Sequence, residues 1–443
     1  MSDEMLRQMR DMARTIFLRA LAEASIGSAF ARHVHCERGV LRICDDLYDL
    51  QSYSRVFVVS IGKAGHTMVE ALAHQVGESA LEGIVASSVD PSAQVRGFRY
   101  FRGGHPTPNA ESVHAAQSIL KALDAQTGES LVIFLLSGGG SSLVEKPIDD
   151  EITLDNLIAT YRVLVHSGGS IGEINAIRKH LSAVKGGRLA RAAFPAQQVS
   201  LLVSDVPDNT PDALASGPTM PDSTSVEDCY RIAEKHGLLP QLPHSTRELL
   251  ERRALDETPK SNDQVFHRSR WWPLLSNQTA VERARTAAER AGFTAHVDNS
   301  CDDWDYQNAA EYLLKRLHEL RSQGLIKEYG RVCLISGGEV TVKVVNGGVG
   351  GRNQQFALAC ATKIAGENIT VLSAGTDGID GNSSAAGAVV DGTTVARAKA
   401  QGLDVATAIA KFDAYPLFDT LGDTIETGPT GNNLRDLRIL LAY

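Results

Sequence analysis

Leu131-Val132-Ile133-Phe134-Leu135-Leu136-Ser137-Gly138-Gly139-Gly140-Ser141-Ser142 is the stretch that decides the reading of this chain. Six apolar residues in a row suit a strand buried on both faces, as in parallel sheets. The glycines that follow mark the turn at its carboxyl end, which is where open α/β sheets bind ligands. Three more stretches repeat the pattern. Phe57 to Ile61 precedes Gly62-Lys63-Ala64-Gly65, and Val332 to Ile335 precedes Ser336-Gly337-Gly338-Glu339. Ile369 to Leu372 precedes Ser373-Ala374-Gly375-Thr376-Asp377-Gly378. Glycines at such turns let backbone N–H groups come close to an anion. The pattern points to phosphate chemistry in both halves of the chain.

Outward from these runs, strands are expected at 56–61, 83–87, 131–136 and 199–203, with helices at 5–24, 66–77, 110–124, 154–166 and 171–182. Alternation of this kind predicts βαβ units and a mainly parallel, doubly wound sheet. Prolines at 221, 240, 243 and 259 lie in a charged, irregular connection. The boundary is placed there, giving an N-terminal α/β domain over 1–240 and a smaller C-terminal α/β domain over 241–443. The second half reads as helices at 278–292, 306–323 and 352–364 and strands at 332–335, 341–345 and 369–373. The alternating run Glu339 to Val345 before Asn346-Gly347-Gly348 suggests a hairpin, so a mixed sheet is expected there.

With 443 residues the chain exceeds one ordinary core. A net charge of −9 argues against nucleic acid or an anionic membrane as partner. An anionic substrate must therefore meet a locally basic site. The six cysteines show no CxxC spacing, which suits a reduced, cytoplasmic protein and disfavours a zinc site. Met5, Met9, Met12, Ile16 and Leu21 recur at helical spacing among charges, so the first segment reads as an amphipathic core helix rather than a signal peptide. No apolar run reaches the ~18–20 residues that span a bilayer.

Lys63 and Arg352 each open a helix after a glycine turn. A cation there opposes the helix dipole, and the placement makes sense when an anion binds between the two. An exposed lysine turned to solvent is the competing reading. Ser137, Gly138, Gly139, Gly140, Ser141 and Ser142 can form a nest of N–H donors, against the alternative of a flexible turn. His105 in Gly104-His105-Pro106 is weaker, because a turn residue explains it equally well. Glu173 and Arg178 fall off the buried stripe of an amphipathic helix that leads to Lys185-Gly186-Gly187-Arg188, and ordinary surface ion pairs are the better reading of that window alone. Asp205 and Asp208, and later Asp377 and Asp380, offer carboxylates that hold Mg²⁺, accept a hydroxyl proton or cap turns. A G-x-x-x-x-G-K-[ST] loop and a G-x-G-x-x-G fingerprint are both absent from the sequence. Nests and cations without a cofactor fingerprint suggest phosphoryl transfer, which needs mostly positioning and charge neutralisation.

Taken together, these stretches resemble the class II glycerate 2-kinase family. The resemblance runs from Ser60–Gly65 to Thr427-Gly428-Pro429-Thr430-Gly431-Asn432-Asn433. It includes His105-Pro106-Thr107-Pro108, the triglycine loop, Glu173 to Arg188, Ser216-Gly217-Pro218, Gly337-Gly338-Glu339, Gly350 to Gln354 and Ala374 to Gly381. It implies ATP-dependent, Mg²⁺-assisted phosphorylation of D-glycerate at the 2-hydroxyl, giving 2-phosphoglycerate, in two α/β domains with the active site in the cleft between them. On that reading Lys63 and Arg352 contact the moving phosphoryl group or the substrate carboxylate. Asp205 and Asp377 bind metal or position the hydroxyl. The nest, His105, Glu173, Arg178, Lys185, Glu339 and Asn353 bind substrate or nucleotide. Gln355 stands where the family often has Glu, Asn382 where Pro is usual, and Asn432 where Thr is usual. The alternatives are an NAD(P)H-dependent hydroxypyruvate reductase, a label that family members often carry, and a ligand-sensing α/β module without turnover.

Overall fold

The quoted apolar run forms the strand Ser130–Ser137, buried at every position. Such a strand needs paired neighbours on both edges and cover on both faces. The computed structural model describes residues 3–91, 93–324, 330–344 and 347–443. Contacts divide the chain into one unit of Ala29–Leu274 and another of Met1–Ser28 with Leu275–Tyr443.

The unit of residues 29–274 begins with a small antiparallel sheet of β1 (Val34–Glu37), β2 (Val40–Ile43) and β3 (Asp46–Asp49). Its main sheet holds β4 (Arg55–Ile61), β5 (Glu82–Ser87), β6 (Phe98–Arg102), β7 (Ser130–Ser137), β8 (Gln197–Val203) and β9 (Ser269–Leu275). The order is β6-β5-β4-β7-β8-β9, and the pairs from β6 through β8 are parallel. The order reverses between β4 and β7, which makes their carboxyl ends a topological switch point. Ile61 pairs with Leu136, so the two glycine turns leave the sheet side by side. On one face Phe57, Val59, Ile61, Phe134 and Leu136 pack on Ala115, Ile119 and Leu123 of the helix Ala110–Asp124. Each such side chain contributes about 1.5–3 kcal/mol when fully buried. Asn109 starts that helix with a reciprocal capping box to Ser112.

The other unit builds a mixed sheet from β10 (Thr294–Val297), β11 (Val332–Gly338), β12 (Ile369–Gly375), β13 (Gly387–Asp391), β14 (Thr424–Ile425) and β15 (Asp436–Ala442). Its order is β10-β11-β15-β12-β13-β14, with β10–β11 parallel and the other pairs antiparallel. The mixed character comes from β15, which lies antiparallel between β11 and β12, and not from a hairpin at 341–345. Residues 341–344 make only a single bridge, Thr341 to Asp305. Val345 and Asn346 lie outside the described residues.

The division also differs from a single cut at 240/241. The amphipathic helix Asp3–Glu23 places Met9, Ala13, Ile16, Phe17 and Ala20 in one cluster with Val281, Ala284, Leu372 and Ile439. An apolar stripe must be covered, and the mixed sheet together with the helix Asn277–Arg290 covers this one. All six cysteines are free, and no described helix is long and apolar enough to cross a membrane.

Replacing Phe17 by Ala removes a fully buried ring from this cluster, at a cost of about 3–5 kcal/mol. Hydrogen exchange should then quicken across 275–443, while 29–274 keeps its protection. Equal loss in both segments would contradict the assignment of the first helix.

Candidate active site

In the unit of residues 29–274, missing side chains let the turns at the switch point meet. Gly62 has φ +135°, and a Cβ there would lie 2.0 Å from the Ser137 hydroxyl oxygen. The Lys63 N–H donates to the Gly138 carbonyl at 2.9 Å, and the Ala64 N–H donates to Ser137 Oγ at 3.1 Å. These bonds join the first glycine turn to the second. A Cβ on Gly138 would lie 1.9 Å from Asp205 Oδ2, so the Asp205 carboxylate rests against a bare Cα. Gly139, at φ +82°, faces the Lys63 stem and His105: a Cβ there would lie 3.1 Å from Lys63 Cγ and 3.4 Å from His105 Nδ1.

Around this cradle, His105 Nδ1 lies 3.2 Å from Ser142 Oγ. Burial, and then the Lys63 charge, lower the His105 pKa, so its ring is neutral near pH 7. Lys63 is exposed. Ser141 Oγ lies 2.8 Å from Ser216 Oγ. The sequence reading did not place Ser216 in the site. Its signal was present in Ser216-Gly217-Pro218, and Ala215 and Ser216 both hold positive φ, of 50° and 61°. Such backbone is costly for non-glycine residues and persists where the surroundings enforce it. Lys63, His105, Ser137–Ser142 and Asp205 thus gather in one place, with a cation and a carboxylate beside a glycine cradle.

The basic segment after the helix Ile171–His180 does different work. Lys185 is 1% exposed and ion-paired with Glu145, which also accepts from Tyr161 Oη at 2.7 Å and Ser182 Oγ at 2.6 Å. Burial lowers the Lys185 pKa to about 8, with Glu145 pulling the other way. The Arg178 guanidinium stacks 4.5 Å from the Tyr161 ring centroid. Glu173 accepts from the Ser170 N–H at 2.9 Å and from Lys235 Nζ at 2.6 Å, and it lies 3.3 Å from His236. The Lys235 contact leads the effects that hold Glu173 at about 2. Glu173 is therefore a helix cap, Lys185 is the buried partner of Glu145, and Arg178 covers Tyr161.

In the other unit, Arg352 opens its helix with its guanidinium already held by carboxylates. Its guanidinium grips Asp436 through Nε at 2.6 Å and Nη2 at 3.0 Å, and it reaches Glu339 at 2.8 Å. Asp302 holds Arg435 through two bonds of 2.7 Å. Arg438, fully buried, donates to the carbonyls of Gly337 and Gly338 at 3.1 Å each. Carboxylates that fix the Arg352 fork leave 35% of its side chain exposed.

Asn353 is 1% exposed; its Oδ1 accepts from Ser373 Oγ at 2.6 Å and its Nδ2 donates to Asp380 at 3.3 Å, so it braces the loop. Asp380 accepts the N–H groups of Asn353 and Gln354 at 3.1 and 2.8 Å at the start of the helix Arg352–Lys363. Burial, joined by Asp436, pushes its carboxyl up to about 7 against those donors. Asp377 accepts from the Ile379 N–H at 3.2 Å in a turn beside Gly375.

No cluster of three or more His, Cys, Asp or Glu suited to a metal occurs among the described residues. Mg²⁺ in phosphoryl transfer commonly takes one or two carboxylates and completes its shell with phosphate oxygens and water. The Asp205 carboxylate against the Gly138 cradle fits that donor set.

The raised Asp380 pKa has a pH signature. Its folded value of about 7 exceeds the unfolded value of ~3.9, so the unfolded chain loses this proton first as pH rises. The contribution of Asp380 to stability is full below about pH 4 and is lost as pH passes 7. Urea unfolding from pH 5.5 to 7.5 should show a downward slope that flattens in Asp380→Asn. An unchanged slope would contradict the buried placement.

The family described as "Domain of unknown function (DUF4147)" matches residues 12–251, and the MOFRL family matches residues 332–436. A D-glycerate 2-kinase of Thermotoga maritima is 37% identical over 392 residues, covering 87% of this chain and 90% of that protein. A putative hydroxypyruvate reductase of Agrobacterium vitis is 36% identical over 390 residues, covering 87% of each. The crystal structure of a glycerate kinase from Thermotoga maritima has a TM-score of 0.86 at 32% identity, over 99% of this chain and 100% of that one. Matching sequence and matching fold extend together over most of the chain, which therefore belongs to the glycerate 2-kinase family.

Proposed function

We propose that the protein transfers a phosphoryl group from ATP to the 2-hydroxyl of D-glycerate, giving 2-phosphoglycerate, with Mg²⁺ as the accompanying cation. The observation that carries this reading is the switch-point cradle, where Lys63, Gly138–Gly140 and Asp205 gather around two interlocked glycine turns. In the reaction the 2-hydroxyl oxygen bonds to the terminal phosphorus, the bond to the ADP oxygen breaks, and the hydroxyl proton leaves. Backbone N–H groups of the cradle bind the phosphates, and Lys63 neutralises charge that builds on the phosphoryl oxygens. Mg²⁺, when bound, supplies further neutralisation of the donor phosphates. Asp205 is assigned to that ion or to the hydroxyl proton, and Asp377 is the corresponding carboxylate of the other unit. Arg352, pre-oriented by Asp436 and Glu339, grips the glycerate carboxylate or the phosphoryl group. The neutral His105 ring can orient the hydroxyl without adding charge. A small-molecule substrate without a nucleic-acid or membrane partner, and a cytoplasmic location, belong to the same reading; six free cysteines suit a reducing compartment.

One observation favours the reductase reading. The strand order β6-β5-β4-β7-β8-β9 is that of dinucleotide-binding sheets. The first βα turn, however, reads Gly62-Lys63-Ala64-Gly65 and lacks the G-x-G-x-x-G fingerprint.

Purified protein should convert D-glycerate and ATP into a product that enolase consumes directly, and should not oxidise NADH or NADPH with hydroxypyruvate. Lys63→Ala should lower kcat by about 10²–10³ with the melting temperature preserved. Reductase turnover without ATP, or near-native kcat in Lys63→Ala, would overturn the reading; a product that first needs a mutase would overturn the regiochemistry.

A further inference from the structure

A closed ring of contacts ties the triglycine turn to residues 185–187, and it passes through a buried ion pair. Lys185 and Glu145, 1% and 0% exposed, form that pair. Glu145 stands two residues after the short helix Gly140–Leu143 that continues the turn. The Tyr161 and Ser182 hydroxyls and the Lys146 N–H also donate to its carboxylate, so both oxygens are held. Beyond Lys185, the Gly186 N–H donates to the Ser216 carbonyl at 3.0 Å and the Gly187 N–H to the Gly217 carbonyl at 2.7 Å. Ser216 closes the ring through its hydroxyl contact with Ser141. A Cβ on Gly140 would lie 2.7 Å from Ala215 Cβ, so the positive-φ loop packs directly on the bare glycine. Two hydroxyls that share one bond keep one hydrogen between them. Ser216 is 1% exposed and Ser141 half-buried, so when Ser216 donates, the remaining hydrogen sits on Ser141, the member that solvent reaches.

We propose that Lys185 is a positioning residue for phosphoryl transfer: through Glu145 on one side and Ser216 on the other, it holds the Ser141 hydroxyl in place to donate to a phosphate oxygen. The assignment rests on the kinase reading, which puts the phosphates at this turn. A buried ion pair adds little net stability over apolar residues of the same volume, and its best attested use is to fix one register. Here that register is the one between the Ala215–Ser216 backbone and the glycine turn. Lys185 itself stays behind the turn, paired with Glu145, and takes no part in the bond changes. A small misplacement of a contact to the reacting group costs rate even when it arises far from the chemistry.

Lys185→Met alone would strand the Glu145 carboxylate, so the test compares three proteins: Lys185→Met with Glu145→Gln, Ser216→Ala, and all three changes together. The paired replacement and Ser216→Ala should each lower kcat about tenfold, the worth of one hydrogen bond to a charged group. The combined protein should lose no more than either, because both routes remove the same contact. Without ligand, hydrogen exchange over 138–142 should quicken in the paired replacement while 55–61 keeps its protection. If the paired replacement fails to fold, Tyr161→Phe, which removes one donor to Glu145 and keeps the ring, should cost about threefold in kcat and nothing further in the Ser216→Ala background. Losses that multiply to about a hundredfold, near-native kcat in Ser216→Ala, or unchanged exchange over 138–142 would overturn the proposal. Phosphorylation of glycerate by the wild type with multiplying losses in the variants sinks the clamp and leaves the kinase standing. The exchange change in a protein that transfers no phosphoryl group sinks the kinase and leaves the clamp.

Discussion

Two backbone turns packed against each other, with nothing but hydrogen at the crossing, are the constraint on which the site in residues 29–274 depends. Gly62 meets Ser137, and Gly138 meets Asp205, at separations that no Cβ tolerates. The parallel register of β4 and β7 brings the turns to one level, and the reversal of strand order leaves a crevice above them. Once the turns are locked by the Lys63 N–H and the Ser137 hydroxyl, the lysine stem, His105 and Asp205 have fixed places around the cradle. The site is thus a consequence of sheet topology and of missing side chains before it is a matter of charged groups.

Electrostatic pre-organisation governs the other unit. Arg352, Arg435 and Arg438 are held by Asp302, Glu339, Asp436 and the carbonyls at the end of β11. Removing one member of a buried, hydrogen-bonded ion pair leaves an uncompensated charge, so these groups stand or fall together. Asp380 adds a second level of control by closing the first N–H groups of the helix that presents Arg352. An arginine fixed in this way meets an anion without first losing side-chain freedom.

Much of this was legible in the residues. The strands β4, β7, β8, β11 and β12 are short apolar runs ending in glycine or serine turns, and they appear where the runs predict them. β15 escaped because Asp436 and Arg438 interrupt its pattern, and both are buried in the ion-pair network. The carboxylates that hold Arg352 were out of reach, because Asp436 is 84 residues away and local sequence carries no trace of such a contact. The first helix announced a buried face but not what covers it, so its membership in the distant unit was out of reach. Glu173 pairs with Lys235 near the surface, as its window suggested, whereas the Lys185–Glu145 pair is buried, which no local window could show.

The central claim is that the interlocked turns after β4 and β7 hold the transferring phosphates. Hydrogen exchange of the backbone amides over 62–65 and 137–142, measured with and without a non-hydrolysable ATP analogue and D-glycerate, tests it most directly. The account predicts that both turns gain protection together and that Lys63→Ala weakens the gain. Bound nucleotide that leaves both turns exchanging at their free rates would contradict it.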